Sequence, residues 1–274
     1  MRLLALLLAL SACAEPSQTP AAAPVTASHT IPYALDTPDA VVDLPSELRE
    51  ISGLTVVPSG RLGAVQDEDG ILYEIDPATG AIVDRLTFEG SGDYEGVALA
   101  LEAVWVLRSD GDLYRVGRDS TGAPSTRKVE TSLRGRNDTE GLAYDAASGT
   151  LLVACKENPG PDLDGLRAIY AFDLEAEAMS DQPVFVLDRR VVDRGRAFKP
   201  SAIAVHPNGE VYVVSSVRRS IAVLSREGEL LTVADLPSIA PQPEGIAFAA
   251  DGTLYIASEG PSGPGRLLRY APTR

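Results

Sequence analysis

Acidic side chains recur at regular places along this sequence, and their recurrence is the first sign of chemistry. A glutamate–glycine pair precedes an apolar run three times, and other carboxylates follow short apolar segments. Carboxylates that converge repel one another unless a cation or shared protons relieve the repulsion. Ca²⁺ takes six to eight oxygen ligands in flexible geometry, which suits a ring of carboxylates, carbonyls and water. The predicted metal ligands are Glu95, Glu140, Glu244, Asp67, Glu68, Glu157 and Glu259.

The same glutamates have a structural interpretation that the sequence leaves open. Each could cap the start of a strand or hydrogen-bond the backbone of a neighbouring repeat, while each following glycine permits a tight turn. The two interpretations are compatible, with one or two repeats diverted to metal. Glu50 stands in the corresponding segment of the first repeat. Additional ligand candidates are Asp93, Asp110, Tyr94, Asn137 and Asn158.

Other chemistries have little support in the sequence. The two histidines, His29 and His206, stand in a polar leader and a hairpin turn, where solvent contact is expected, so a Ser-His-Asp triad is not predicted. No Gly-x-Ser-x-Gly elbow, zinc-type cluster or phosphate-binding glycine loop occurs, and no catalytic residue is assigned. The formal net charge of −15 argues against binding to nucleic-acid phosphates. Cys155 follows an apolar run, so a packed and inert thiol is expected.

The candidate ligands belong to a repeat that must position them. Five segments share one pattern, centred on positions 52, 95, 140, 201 and 244, at intervals of 43, 45, 61 and 43 residues. Each opens a short apolar strand that is followed by a turn and further strands; Asn208-Gly209 and Asp251-Gly252 are typical hairpin dipeptides. Four strands per unit at this period predict an all-β fold, a β-propeller of five four-stranded blades. The long third interval is explained by a loop at 158–165.

The last unit lacks a fourth strand, and the N-terminal part of the chain supplies one. Val42-Asp43-Leu44-Pro45 resembles Ala234-Asp235-Leu236-Pro237 at the end of another fourth strand. We therefore expect Ala40–Leu44 to pair with the last blade and close the ring, which removes open edges. Because neighbouring strands are antiparallel, the start of each first strand and the end of each second strand should then meet at one mouth of the channel.

Several motifs, taken in order, resemble one known family. They are Glu50-Ile51-Ser52-Gly53-Leu54, Val65-Gln66-Asp67-Glu68, Asp93-Tyr94-Glu95-Gly96-Val97, Thr139-Glu140-Gly141-Leu142, Ala154-Cys155-Lys156-Glu157-Asn158-Pro159, Gln242-Pro243-Glu244-Gly245-Ile246 and Leu254-Tyr255-Ile256-Ala257-Ser258-Glu259. Their order and spacing resemble the SdiA-regulated (YjiK-like) family. That resemblance implies a five-bladed propeller, often lipid-anchored or membrane-associated, with a calcium site in some members. The sequence departs from the family at Pro200-Ser201-Ala202-Ile203, so no carboxylate is expected from the fourth blade.

The N-terminus has the features of an exported lipoprotein. Residues 1–12 read as a signal peptide, whose apolar run Leu3–Leu10 is too short to span a bilayer. The run ends in Leu10-Ser11-Ala12-Cys13, which resembles the bacterial lipobox, so lipidation is predicted at Cys13. Residues 13–31 are rich in Ala, Pro, Ser and Thr and form a tether, and residues 32–274 form the propeller. Ala14 after the cysteine favours the periplasmic side of the outer membrane over the inner membrane.

Two functions from different classes fit these features. The first is a calcium-dependent binding domain, held on the membrane by its lipid and directed at a protein or glycan partner. The second is a divalent-metal-dependent hydrolase of lactones or phosphoesters, with Glu157 or Glu259 as general base. No nucleophilic or basic residue is evident beside the carboxylates, so binding is favoured, and a fold alone does not decide between the two.

Overall fold

Five antiparallel sheets arranged around one channel form the fold, which a computed structural model describes for residues 29–192 and 198–273. The predicted signal peptide, Cys13 and most of the predicted tether lie outside the described residues. The first blade comprises β2 (Ile51–Val56), β3 (Leu62–Gln66), β4 (Asp69–Ile75) and β5 (Ile82–Ser91). The second comprises β6 (Tyr94–Ala100), β7 (Ala103–Arg108), β8 (Leu113–Arg118) and β9 (Pro124–Val129).

The remaining blades follow the same order from the channel outward. The third comprises β10 (Thr139–Asp145), β11 (Thr150–Cys155) and β12 (Leu166–Asp173), with β13 (Ala178–Met179) and β14 (Phe185–Asp188) both paired to β12. The fourth comprises β15 (Ala202–Val205), β16 (Val211–Ser215), β17 (Ser220–Leu224) and β18 (Leu230–Asp235). The fifth comprises β19 (Gln242–Phe248), β20 (Leu254–Glu259) and β21 (Arg266–Tyr270), completed by β1 (Ala40–Asp43).

Closure of the ring by the N-terminal strand is confirmed. Strand β1 pairs antiparallel with β21, Ala40 lying opposite Arg269 and Asp43 opposite Arg266. Both ends of the described chain are tied together a second time, because the Thr273 amide donates to the Pro32 carbonyl at 2.8 Å. The five-bladed, all-β prediction is therefore confirmed, and it holds because each repeat can bury its faces only against its neighbours.

Helices are almost absent from the described residues. Two 3₁₀ turns occur at Ser46–Leu48 and Gly135–Asn137, and one four-residue helix, α1 (Arg189–Val192), follows the third blade. No helix in residues 29–192 and 198–273 has the length and apolarity needed to cross a membrane. The extra length of the third repeat lies in the predicted loop between β11 and β12 and in the split outer edge of the blade, where two short strands occupy the place of one.

Apolar side chains between neighbouring blades form the core. Cys155 is fully buried there, and burial raises the pKa of its thiol to about 12, which leaves it protonated and unreactive at neutral pH. His206 differs from the expectation of solvent contact. Its ring packs against Phe248 at 4.8 Å between centroids, and its Nε2 lies 3.0 Å from the Tyr33 hydroxyl oxygen. The N-terminal segment brings Tyr33 to this place, which the hairpin motif of His206 could not indicate.

Candidate functional site

The first strand of every blade lines the channel, and its opening residues meet the ends of the second strands at one mouth. Four of these strands contain a β-bulge at the residue before the glycine, where the register with the second strand shifts by one. A bulge leaves one residue out of the ladder and re-aims its side chain. The bulged residues are Ser52, Glu95, Glu140 and Glu244.

Ser201 occupies this level in the fourth blade, so the ring holds three glutamates and two serines. The Ser52 hydroxyl donates to the Tyr94 carbonyl at 2.6 Å, and the Ser201 hydroxyl donates to the Pro243 carbonyl at 2.8 Å. Each serine thereby ties its blade to the next one. Glu50 is not the equivalent of the ring glutamates: its carboxylate pairs with Arg49 at 2.8 Å and is well exposed.

The glycine after each bulge serves close packing, which corrects the expectation of a tight turn. A Cβ on Gly96 would lie 2.8 Å from the Cβ of Leu142, and one on Gly141 would lie 2.8 Å from Ile203 in the following blade. These are distances that real Cβ atoms do not reach, and neither glycine has a positive φ. The glycines therefore let the inner strands approach closely at the axis, which brings the bulged side chains together.

Three glutamates converge inside the mouth. Glu95, Glu140 and Glu244 each offer a carboxylate oxygen, and the three oxygens lie within 4.8 Å of one another. Glu140 is only 2% exposed, and the other two are partly buried. Among residues 29–192 and 198–273, this is the one group of three or more acidic, histidine or cysteine side chains close enough to share a metal ion.

Burial and mutual repulsion hold protons on this group. Burial, followed by the charge of Glu140, raises the pKa of Glu95 to about 10. Burial, followed by the charge of Glu259, raises the pKa of Glu244 to about 9. Burial also raises the pKa of Glu140, to about 7, although the ammonium of Lys156 acts in the opposite direction. At neutral pH the cluster therefore keeps fewer charges than carboxylates.

Lys156 is the functional neighbour that the sequence reasoning missed. Its ammonium donates to the Glu140 carboxylate. Burial lowers the pKa of Lys156, but the charge and hydrogen bond of Glu140, together with the charges of Asp138 and Glu244, more than offset this effect, so the pKa is raised. The signal was available, because Lys156 stands directly after β11, as Asp67 and Glu259 stand at the equivalent ends of β3 and β20.

The other predicted ligands have different surroundings. Glu259 borders the cluster: burial raises its pKa, and its carboxylate accepts from the Gln242 amide at 2.9 Å. Asp67 is partly buried, with burial as the main cause of its raised pKa, and its Oδ1 accepts no hydrogen bond from the described residues. Glu157 is engaged by the Lys199 ammonium, whose hydrogen bond lowers its pKa, and Glu68 is exposed. The structure thus brings three of the seven candidates together, with Glu259 beside them.

Most of the additional ligand candidates make hydrogen bonds or ion pairs away from the three glutamates. The Tyr94 hydroxyl donates to the Gly90 carbonyl at 2.9 Å. The Asn137 side chain accepts from the Arg134 amide and donates to the Asn158 carbonyl, each at 2.8 Å. Asp110 pairs with Arg108. Asp93 alone points to the cluster, since a hydrogen bond with Glu95 contributes to the raised pKa of that glutamate.

The space enclosed by the ring is small. A cavity of about 10 Å³ lies among the ring residues, which is room for one water-sized particle. Two residues farther along each strand, a ring of buried aliphatic side chains lines the channel. These side chains are Leu54, Val97, Leu142, Ile203 and Ile246. The geometry can hold an ion or a water among carboxylates, while a larger molecule would have to stay at the mouth.

Comparisons with known proteins place the chain among β-propellers. The model of the SdiA-regulated family matches residues 37–263. Glutaminyl cyclase of Myxococcus xanthus has 17% identity and a TM-score of 0.59, covering 85% of this chain and 94% of that chain. The PQQ-bound aldose sugar dehydrogenase of Streptomyces coelicolor has 16% identity and a TM-score of 0.52, covering 86% and 99%. At such low identity, these structures show a shared fold alone.

Proposed function

The chain belongs to the SdiA-regulated family, and we propose that it is a lipid-anchored binding protein of the cell envelope that takes up a divalent cation, Ca²⁺ first, at its acidic mouth. The acidic mouth is the channel end that holds Glu95, Glu140 and Glu244. The cation would order this end of a rigid propeller for a protein or glycan partner. Residues around the mouth rather than inside the channel would contact that partner, because the enclosed space is small.

The convergence of three carboxylates carries the proposal. Their oxygens lie within 4.8 Å of one another, and burial raises the pKa of Glu95 and Glu244 far above that of a free glutamate. Such an arrangement is unfavourable in the ionised form, and a bound divalent cation would relieve the repulsion. Glu95, Glu140 and Glu244 would hold the ion, with Glu259 and Asp93 next to them. Oxygen ligands of this type match the preference of Ca²⁺.

Lys156 sets a condition on metal binding. Its ammonium already neutralises Glu140, so an incoming cation must compete with an internal one. This competition favours a doubly charged ion over a singly charged one, because the incoming ion must attract the carboxylates more strongly than the ammonium that it replaces. A cation that binds must also release the protons held by Glu95 and Glu244.

Calorimetric titration of Ca²⁺ into the chelator-treated mature protein tests this site. We expect one ion per chain and at least tenfold weaker binding in Glu95→Gln, which retains the shape of the side chain and removes its charge. Glu227→Gln is the matched control, because Glu227 is exposed on a hairpin between β17 and β18. An absence of heat at millimolar Ca²⁺, or equal weakening in both variants, would refute the site.

The lipid anchor is a separate part of the proposal and has its own test. The motif at Leu10–Cys13 supports it, together with the polar tether that follows. We expect Cys13→Ser to move the protein from the membrane fraction of its bacterial cell to the soluble fraction, because the acyl chains carried by that cysteine are then lost. Cys155→Ser should leave the protein in the membrane fraction. Retention of Cys13→Ser in that fraction would contradict the anchor.

A hydrolase remains a second candidate because of one observation. Glu259 borders the three converging glutamates without belonging to them, and burial raises the pKa of its carboxyl, as suits a general base. A divalent ion beside it could polarise a lactone or phosphoester held at the mouth. Turnover in a panel of lactones and phosphoesters with Ca²⁺, lost in Glu259→Gln and retained in Glu227→Gln, would favour the enzyme. The small enclosed space favours binding.

A further inference from the structure

A second cavity, of about 630 Å³, lies on the flank of the molecule between the second and third blades. We call it the side groove and define it by Leu101, Trp105, Arg115, Arg127, Leu174 and Glu177. It lies at the hairpin ends of β6–β7 and β12–β13, which are opposite the acidic mouth. Its size is that of an ordinary small-molecule pocket. It shares no residue with the proposed cation site.

One wall of the side groove carries two cations that face each other across strands. In the register of the second blade, Trp105 lies directly opposite Arg115, and Arg115 lies directly opposite Arg127. Like charges at directly opposite positions destabilise a sheet. Strand β9, which supplies Arg127, is exposed along nearly all its length.

The third blade supplies one carboxylate for these two cations. Glu177 accepts hydrogen bonds from both terminal nitrogens of Arg127, one of them at 2.8 Å. Within residues 29–192 and 198–273, Arg115 has no carboxylate within ion-pair distance, although its charge also helps to lower the pKa of Glu177. Glu177 is therefore the one carboxylate paired directly with either arginine, at the edge of a cavity lined by both apolar and charged side chains.

Both lips of the side groove have an unusual backbone. Leu101 has a φ of 56° and is 73% exposed, and Glu177 has a φ of 50° on the opposite lip. The left-handed region is unfavourable for such side chains, and strain of this kind tends to persist at functional sites. Leucine at the tip of a two-residue hairpin also exposes apolar surface to water. Glycine or asparagine would fit this turn better.

We propose that the side groove binds an amphiphilic carboxylate of the fatty-acid class. The carboxylate head lies between Arg115 and Arg127 and supplies a second negative charge beside that of Glu177, while the apolar chain contacts Leu174, Leu101 and the small exposed part of Trp105, which is 4% exposed. Arginine suits the head group, because its planar fork matches a carboxylate. Glu102 also borders the groove, but it stands at the hairpin tip beside Leu101, where the apolar end lies and not the head.

Trp105 makes the binding directly measurable, because it is the only tryptophan in the chain. The probe is decanoate below its micelle concentration, titrated into the mature protein with chelator present, so that the cation site has no influence. We expect a saturable change in tryptophan fluorescence. Decan-1-ol, which has the same chain without the charge, should bind at least tenfold more weakly. No saturable change, or equal binding of the alcohol and the acid, would overturn the proposal.

Two substitutions test separately how the charge of Arg115 and the backbone strain at Leu101 contribute to decanoate binding. Arg115→Gln should weaken decanoate binding at least tenfold, whereas Arg118→Gln, on the same strand but paired with Asp84 of the first blade at 2.9 Å, should leave it unchanged. Leu101→Gly should weaken binding while the melting temperature stays the same or rises, because the strain is removed. Unaltered decanoate affinity in Arg115→Gln would refute the head-group site. Unaltered decanoate affinity in Leu101→Gly would refute the role of Leu101 in binding.

Discussion

The serine and glutamate positions of the channel ring occupy the same level of the fold and have opposite relations to their neighbours. Ser52 and Ser201 each donate a hydrogen bond to a carbonyl of the next blade, at 2.6 and 2.8 Å. Glu95, Glu140 and Glu244 turn toward one another instead. A serine hydroxyl keeps its proton and can donate to a carbonyl at any ordinary pH, whereas a carboxyl can donate only while it is protonated. The same repeat position therefore links neighbouring blades where it holds serine, and gathers titratable carboxyls where it holds glutamate.

Among the tests of this difference between serine and glutamate positions, substitution of Lys156 should change the free energy of unfolding most. Lys156→Met leaves the buried Glu140 without its cation, and loss of one partner of a buried pair costs about 3 kcal/mol. The free energy of unfolding, measured by urea titration at pH 7, should fall by about that amount. In the double variant, Glu140→Gln combined with Lys156→Met should restore most of the lost free energy of unfolding. A Lys156→Met protein as stable as the wild type would show that the glutamate positions need no internal cation.

The pH dependence of stability should come next in size. The folded-state pKa values of Glu95 and Glu244, about 10 and about 9, lie above the unfolded value of a glutamate. A raised folded-state pKa gives stability that is complete at low pH and is lost as the pH rises toward that pKa. Without metal, the free energy of unfolding should therefore fall as the pH rises from about 5 to about 9, the window between the unfolded and the folded pKa values of these carboxyls.

Two variants locate the source of that pH dependence. Glu95→Gln should flatten the fall in stability, because the group that loses its proton is gone. Ser201→Ala should leave the slope unchanged, since serine does not titrate in this range. Identical slopes in the wild type and in Glu95→Gln would mean that the ring glutamates do not bind protons more tightly in the folded state.

The serines and the glutamates of the ring should also differ, by a smaller amount, in what they contribute to the free energy of unfolding. Ser201→Ala leaves the Pro243 carbonyl and the Ser216 amide without their bonds to the hydroxyl, which costs about 1–2 kcal/mol. Glu244→Gln relieves repulsion and should cost less than about 0.5 kcal/mol, as for an ordinary conservative change. Urea titration at pH 7 of both variants compares them directly. A larger loss in Glu244→Gln than in Ser201→Ala would reverse the assignment of roles.

The smallest effect concerns the predicted ligands outside the ring. Glu68 is exposed, and Glu157 is held by Lys199 at the mouth. Glu68→Gln should change Ca²⁺ affinity by less than about twofold, because an exposed charge acts through water. Calorimetric titration of Ca²⁺ into Glu68→Gln and into Glu95→Gln, under the same conditions, compares the two variants. A loss in Glu68→Gln equal to that in Glu95→Gln would extend the site to the rim and remove the distinction between ring and rim.

Much of the fold follows from local pattern. Apolar runs, hairpin dipeptides and a regular interval give the strands and their number, and the similarity of Val42–Pro45 to Ala234–Pro237 predicts the closing strand. Three ring glutamates were also among the predicted ligands. The role of the glycines was interpreted wrongly, because a close approach between blades leaves no local signal in the sequence.

The sequence by itself determined the repeat, the blade count, the strand that closes the ring and the acidic residues available to the mouth, since all of these depend on neighbours along the chain. Only the tertiary structure decided which carboxylates meet, that Lys156 neutralises one of them, and that Arg115 and Arg127 face each other beside Trp105. The physical reason is that these relations depend on bulges, on register and on ring closure. They join residues from different blades or strands, whose separation in space is set by packing and not by spacing in the sequence.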